Sequence, residues 1–441
     1  MIIKAMIMQP SRVLPPTMMA WLIFASLLLA SYADDWTQWR GANRDGVWNE
    51  TSILRSFPHD GLKVRWRAPM GPGWSSPIVA QGRVYVTDSE LTRPKARERI
   101  HCFDEASGKV FWTHAYEVDY PEWAFEQAQG GGPRATPIVA DGRIYSLGGV
   151  GHLCCLDART GDAIWKRNLA ADYQVKEFTG ITGSPLIEGN LLIMCIGGKP
   201  AACVVAFDKA TGKEVWRALD EPPGYSSPIV ITAGGTRQLI VWTGASVTSL
   251  NVATGESFWR EKFVTVSEYA VSTPVQFGEL LLVGGLMFKL DADKPAASVL
   301  WPESKSSKSR VLSNVSTAMI RDGHVYSARS SGHLVCLDAR SGRQLWETDK
   351  VTGLQSGANI QLTANGDSVL LFNDRGELIR ARLTPAGYDE ISRVALIEPT
   401  SPFAGRKVAW PPPAYANRHV FVRNDKELVC ASLEAKVGYA K

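Results

Sequence analysis

Five stretches of this chain read almost as one: Asp104 to Trp112 is DEASGKVFW, Asp157 to Trp165 is DARTGDAIW, Asp208 to Trp216 is DKATGKEVW, Asn251 to Trp259 is NVATGESFW, and Asp338 to Trp346 is DARSGRQLW. Each fixed position has a physical reason. The leading acid can accept from backbone N–H groups of a tight turn and from the Ser or Thr hydroxyl, and glycine supplies the positive φ that closes it. The tryptophan then stands on the strand leaving the turn, where it can span the gap to a neighbouring sheet. A looser copy, Asp291 to Trp301, lacks the glycine and carries two extra residues. The tryptophans at 112, 165, 216, 259, 301 and 346 lie 53, 51, 43, 42 and 45 residues apart, the period of a propeller blade.

A second pattern opens each unit: SSPIV ending at Val79, ATPIV at Val139, GSPLI at Ile187, SSPIV at Val230 and STPVQ at Gln276. An alternating strand after glycine follows, as in GRVYV (Gly82 to Val86), and then an apolar strand ending in the motif acid, as in HLCCLD. Each unit therefore reads as four short strands. Units begin at Pro77, Pro137, Pro185, Pro228 and Pro274 and near Ala318. A degenerate seventh begins near Leu362, with Ile391 or Val394 where tryptophan belongs. An eighth begins near Pro413, with HVFV (His419 to Val422) and LVCASL (Leu428 to Leu433), and has no Trp strand of its own. Lys63-Val64-Arg65-Trp66-Arg67 offers a Trp strand with no turn before it, so we expect it to complete the eighth blade and leave no open sheet edge. The expected fold is all-β: an eight-bladed β-propeller of four-stranded antiparallel blades, closed by the N-terminal strand. Seven blades with an irregular tail is the alternative. The expected division is a signal peptide over 1–33, an N-terminal extension over 34–61 and one propeller over 62–441.

The 441 residues are 45% apolar and 21% charged, which excludes long disorder and a multi-span membrane protein. Lys4 and Arg12 precede the apolar run from Met18 to Ala30, and Ser31-Tyr32-Ala33 follows, the pattern of a cleaved secretory signal; a retained single anchor is the competing reading. We therefore expect export across the inner membrane, a periplasmic location and no transmembrane span after signal removal. Without Lys4 and Arg12 the chain carries 46 basic and 44 acidic residues, a balance that gives no footprint for nucleic acid. The seven cysteines do not read as a disulfide framework. Cys102, Cys155 and Cys336 each precede a motif acid by two residues and suit a buried strand, and only Cys195 and Cys203 could face each other across a hairpin. Fifteen tryptophans are many. Outside the signal and the repeats remain Trp36, Trp39, Trp48, Trp74, Trp123, Trp242 and Trp410, of which Trp74, Trp123 and Trp410 are the candidates for function.

With its turn motif, its Ser/Thr-Pro strand starts and its period, the chain resembles the pyrroloquinoline-quinone-like (PQQ-like) repeat family of quinoprotein-like propellers across about residues 36 to 433. WTQWRGANRDG (Trp36 to Gly46) and the run from Gly183 to Trp216 are similar to secreted bacterial members. The family includes quinoprotein dehydrogenases and the propeller lipoprotein of outer-membrane protein assembly. For the dehydrogenases the resemblance implies PQQ beneath a disulfide between adjacent cysteines and above a Trp, with calcium on a Glu, an Asn and an Asp and a catalytic Asp nearby. Cys154-Cys155 is the adjacent pair here, yet it lies in the strand before Asp157, where successive side chains point to opposite faces.

No catalytic, cofactor or metal residue is assigned. His152 and His333 occupy the same turn position of two different units, and the motif acids are each used by their own turn. Two insertions in the first unit, Asp88 to Arg99 and Thr113 to Arg134, are expected as long loops on one end of the ring. The second mixes Tyr116, Tyr120, Trp123 and Phe125 with acids before Gly130-Gly131-Gly132. Residues three before each strand-starting proline should ring the channel mouth: Trp74, Arg134, Thr182, Tyr225, Val271 and Trp410. Among them Trp74, Arg134, Tyr225 and Trp410 are the candidate binding surface; the competing reading is that they fill the funnel. The expected function is a non-catalytic binding or scaffolding module, a monomer taking a protein, peptide or small-molecule ligand at one propeller face. The alternatives are a PQQ-dependent alcohol or sugar oxidoreductase with calcium, and a scaffold for outer-membrane protein assembly.

Overall fold

The computed structural model describes residues 35–125, 130–175, 180–264, 270–302, 312–313, 315–355 and 357–435; the expected signal peptide lies outside them. Eight four-stranded antiparallel sheets follow one another around a ring. Blade 1 consists, from the axis outward, of Ile78–Ala80, Arg83–Thr92, Lys95–Asp104 and Val110–Val118. Blade 2 runs from Ile138 to Asn168, blade 3 from Leu186 to Ala218, blade 4 from Ile229 to Lys262, blade 5 from Val275 to Trp301, blade 6 from Met319 to Thr348 and blade 7 from Ile360 to Ala395. Blade 8 joins Ala414–Ala416, His419–Arg423 and Glu427–Ser432 to Val64–Pro69, with Trp66 opposite Cys430. The ring is closed by the N-terminal strand as expected, and the seven-blade alternative falls.

Third strands such as His152–Asp157 are buried along their whole apolar run, because both faces of a blade are covered by neighbours. The motif turns behave as their chemistry requires. Asp208 Oδ1 accepts from the Thr211 amide at 2.8 Å and from its hydroxyl at 2.7 Å. Each indole N–H then donates to a carbonyl in the turn of the next blade: Trp66 to Glu105 at 2.8 Å, Trp112 to Ala158 at 3.2 Å, Trp165 to Lys209 at 3.2 Å, Trp216 to Val252 at 3.0 Å and Trp301 to Ala339 at 2.9 Å. The motif glycine lies flat under that indole; a Cβ on Gly212 would sit 2.7 Å from the Trp165 ring. The next turn lacks the motif in two places, and only at the first does the bond leave it. Trp259 donates to Gln238 Oε1 in its own blade, and Trp346 to the Thr384 carbonyl.

The Ser/Thr-Pro starts do more than begin strands. The Ser76 amide donates to the Thr136 hydroxyl, the Thr136 amide to Ser184 and the Ser184 amide to Ser227, each at 3.0 Å, and Thr273 donates likewise to Thr317. A hydroxyl at the strand start thus ties successive blades at the axis; it precedes proline, which has no N–H to give, in all of these but Thr317, which precedes Ala318.

Two expectations are corrected. Asp88–Arg99 is not a loop: the second and third strands of blade 1 continue through it as one paired hairpin, with Asp88 opposite Arg99 and Thr92 opposite Lys95. The first part of the Thr113–Arg134 insertion likewise prolongs the outer strand to Val118, and Glu122–Phe125 is a single 3-10 turn. The seven cysteines are buried and form no disulfide; the sulfurs of Cys195 and Cys203 are neighbours at 3.7 Å.

The N-terminal extension is the hub of the ring. Trp36 exchanges 2.9 Å backbone bonds with Val79 on the inner strand of blade 1, and the Thr37 carbonyl accepts from Val139 of blade 2. Arg44 Nη1 donates to the Pro185 carbonyl of blade 3 at 2.7 Å, and Trp39 Nε1 to the Thr273 hydroxyl at the start of blade 5 at 2.8 Å. The Trp48 amide donates to Ala364 of blade 7, and the rings of Trp36 and Trp48 lie 5.6 and 5.3 Å from Tyr415 of blade 8. Thirteen residues reaching six inner strands must cross the axis. They fill a channel that close packing would otherwise leave empty.

Candidate functional site

All inner strands run in one direction, so the residues ahead of them gather at one mouth. There Arg134 holds its guanidinium carbon 4.0 Å over the Trp74 ring. Trp74 meets Trp410 at 6.0 Å between centroids, Trp410 meets Phe403 edge-on at 5.0 Å, and Arg406 lies 5.5 Å over Phe403. The result is a ladder of three aromatic rings with a guanidinium at each end, all five side chains partly exposed.

Local backbone explains why the ladder holds. The Trp74 amide donates to the Pro133 carbonyl at 2.9 Å, and Arg134 Nη2 to the Gly130 carbonyl at 3.0 Å. Gly130, at φ +62°, presses on the Trp74 indole, where a Cβ would come within 2.7 Å of it. Phe403 and Arg406 face each other on a small hairpin, Ser401–Phe403 with Arg406–Val408, inserted between blades 7 and 8. Arg406 Nη1 pins that hairpin to Asp374 at 2.9 Å, a carboxylate with no exposed side-chain surface.

Of the four candidate residues, the structure brings Trp74, Arg134 and Trp410 together. Tyr225 belongs to the joint between blades 3 and 4, where its carbonyl accepts from the Thr182 hydroxyl at 3.4 Å. Trp123 is placed on the 3-10 turn, and its side chain lies outside the described set. Phe403 and Arg406 were missed because their hairpin has no repeat signature; the only signal was its position just before Trp410.

Tyr116 and Tyr120, expected among surface-loop aromatics, turn inward instead. Tyr116 donates its hydroxyl to Glu98 Oε2 at 2.7 Å, Tyr120 donates to Oε1, and the Gly149 amide adds a third bond at 2.7 Å. Glu98 is 1% exposed. Burial, reinforced by that carboxylate's charge, pushes both phenols well above their ordinary range. A second buried acid, Asp88, accepts from Arg99, from His101 Nε2 at 2.9 Å and from the Gly71 amide. Burial opposes its charge, yet the bonds from His101 and Arg99 outweigh that and hold the carboxyl well below the usual range.

The residues do not fit the quinone arrangement that the family resemblance implies. Cys154 packs with Ile144, Tyr85 and Cys102 between blades 1 and 2, while Cys155 packs with Leu192 and Met194 between blades 2 and 3. The two sulfurs thus serve different cores and cannot form one lid. Burial pushes Cys154 up to about 12 and Cys155 to about 11, as expected for inert core thiols. Among the described residues, no three His, Cys, Asp or Glu side chains gather as a metal site. No described helix is long and apolar enough to cross a membrane.

Repeat, ring and closure define the class, an eight-bladed propeller of PQQ-like repeats. The family model described as "Outer membrane protein assembly factor BamB" (PQQ_2) matches residues 59–201, 96–262 and 200–393, and the chain belongs to that family. The chain is 26% identical over 272 residues to the outer membrane protein assembly factor BamB of Burkholderia pseudomallei, a match covering 59% of this chain and 65% of that protein. It is 29% identical over 161 residues to the quinoprotein ethanol dehydrogenase of Pseudomonas aeruginosa, covering 33% of this chain and 25% of that enzyme. Among solved structures, BamB from Moraxella catarrhalis matches with a TM-score of 0.57 at 15% identity, over 84% of this chain and 99% of that one. The quinohemoprotein alcohol dehydrogenase of Comamonas testosteroni matches with a TM-score of 0.61 at 15% identity, over 94% and 82%. At these identities the structures share the fold.

Proposed function

We propose that this chain is a periplasmic, non-catalytic scaffold that binds a protein segment at the mouth carrying Trp74, Arg134 and Trp410. The observation that supports it is the Arg134–Trp74–Trp410–Phe403–Arg406 ladder. Partly exposed aromatics with guanidinium ends are the side chains that anchor protein interfaces, since they bury large rigid area and bond backbone carbonyls at small entropic cost. Relatives named for outer-membrane protein assembly favour a protein partner of the envelope over a small molecule. The quinone-dependent alternative is disfavoured by the split of Cys154 and Cys155 into separate cores.

The test is affinity capture from an envelope extract with the parent chain and with Trp74→Ala/Arg134→Ala/Tyr225→Ala/Trp410→Ala. Capture lost with unchanged melting supports the reading. Capture that persists in the folded variant contradicts it, as does dye reduction by the parent loaded with the quinone and calcium.

A further inference from the structure

At the opposite end of the channel, where the inner strands finish, the hub leaves a pocket of about 520 Å³. Two arginines of the hub, Arg40 and Arg44, line it, with exposures of 8% and 6%. Their bonding is incomplete. Arg44 donates through Nη1 to Gln38 Oε1 and the Pro185 carbonyl and through Nη2 to the Ser184 carbonyl, while its buried Nε has no partner. Arg40 donates through Nε to the Arg44 carbonyl and through Nη2 to the Asp45 carbonyl, and Nη1 takes part in neither bond. Among the described residues no carboxylate stands within ion-pair distance of either guanidinium.

Two like charges removed from water are costly, and the charge of exposed Asp45 offsets only part of that cost at Arg40. Burial draws Arg40 down to about 10, and burial together with Arg40's charge draws Arg44 to about 9. Both residues also hold a left-handed backbone, φ 61° and 59°, which a side chain with Cβ adopts against strain. Arg44 ties the hub to blade 3, whereas the bonds of Arg40 stay within the hub's own turn. The second guanidinium, the shared pocket and the orphaned Nε together have the composition of an anion site missing its anion.

We propose that this pocket binds a small organic oxyanion, its phosphate or carboxylate oxygens on Arg40 and Arg44 and its apolar part against Ile229, Ile231 and Met319. Those three side chains line the same pocket and are at most 9% exposed. The volume fits a compact organic molecule and exceeds what a bare inorganic ion fills. Asp45 and Asp322 line it too; both are exposed, so solvent screens their repulsion of an incoming anion.

The probes are phenyl phosphate and inorganic phosphate, titrated calorimetrically into the full chain. Phenyl phosphate should bind one to one, be displaced by inorganic phosphate, and bind at least about tenfold more weakly to Arg40→Gln. Equal affinity for the two probes keeps the site and assigns it to a free oxyanion. Should Arg40→Gln melt early, hydrogen exchange on the parent replaces it: phenyl phosphate should slow exchange across residues 39–49 and leave 74–76, at the other mouth, unchanged. The proposal is overturned if neither probe saturates, if folded Arg40→Gln binds like the parent, or if protection falls outside the hub. Each result is independent of partner capture at the Trp74 mouth.

Discussion

The indole N–H of Trp66 donates to the carbonyl of Glu105 at 2.8 Å, joining the closing strand of blade 8 to the turn of blade 1. The same indole covers Gly108, whose φ is +71° and whose Cβ, if it had one, would stand 2.5 Å from the ring. Ring closure thus uses the joint that every motif blade uses, although Trp66 follows no motif turn of its own.

Gly108→Ala should therefore cost more than Gly82→Ala. Gly82 has φ +73° and nothing within 4 Å of its missing Cβ, so it isolates the backbone strain, about 1 kcal/mol. Gly108→Ala adds the clash with Trp66, roughly another 1–3 kcal/mol. Thermal unfolding of both variants checks this, and equal losses would mean that the indole does not bear on the turn.

The hub gives a second prediction. Trp48 is fully buried between Tyr415 and the inner strand of blade 7, and Asn365 Nδ2 donates to its carbonyl at 2.8 Å. Trp48→Ala should cost about 3–5 kcal/mol. Trp48→Phe should cost under about 1.5 kcal/mol, because the indole N–H it removes is buried without a partner. Denaturant melts distinguish the two; a small loss in Trp48→Ala would mean that the extension does not fill the channel.

Asp88 makes stability depend on acid. The folded carboxyl keeps its charge below the pH at which the unfolded one protonates, about 4. Its contribution is therefore complete above that pH and is lost as the pH falls further toward the depressed folded value. Asp88→Asn should lower neutral-pH stability by about 3 kcal/mol and flatten the decline of melting temperature below pH 4. A variant with the parent's acid slope would assign that slope to other groups.

How much could be read in advance follows from the physics of each part. Turn motifs are local, so Asp104 to Trp112 and its copies gave strand order, blade number and even the closing role of Trp66. The Trp36 to Trp48 hub was not legible, because its partners Val79, Thr273 and Ala364 are distant in sequence and no period announces them. The fixed offset from the strand-starting proline picks out Trp74, Arg134, Tyr225 and Trp410 alike, and the structure makes neighbours of the first two and Trp410. Phe403 and Arg406 escaped because a non-repeated hairpin carries them. Asp88–Arg99 reads as a loop because it is an insertion in the repeat, whereas the ion pair of Arg99 with buried Asp88 at its base and that of exposed Arg97 with Glu90 farther out hold it as a paired hairpin.

The most direct test of the proposed binding face is site-specific photo-crosslinking in intact cells. One probe replaces Lys407, exposed on the hairpin that carries Phe403 and Arg406; the other replaces Phe111, 47% exposed on the outer strand of blade 1. Discrete protein adducts from position 407, absent from position 111 and lost on adding Trp74→Ala and Trp410→Ala, are the predicted result. Adducts from position 111 alone, or adducts at 407 indifferent to those substitutions, would contradict it.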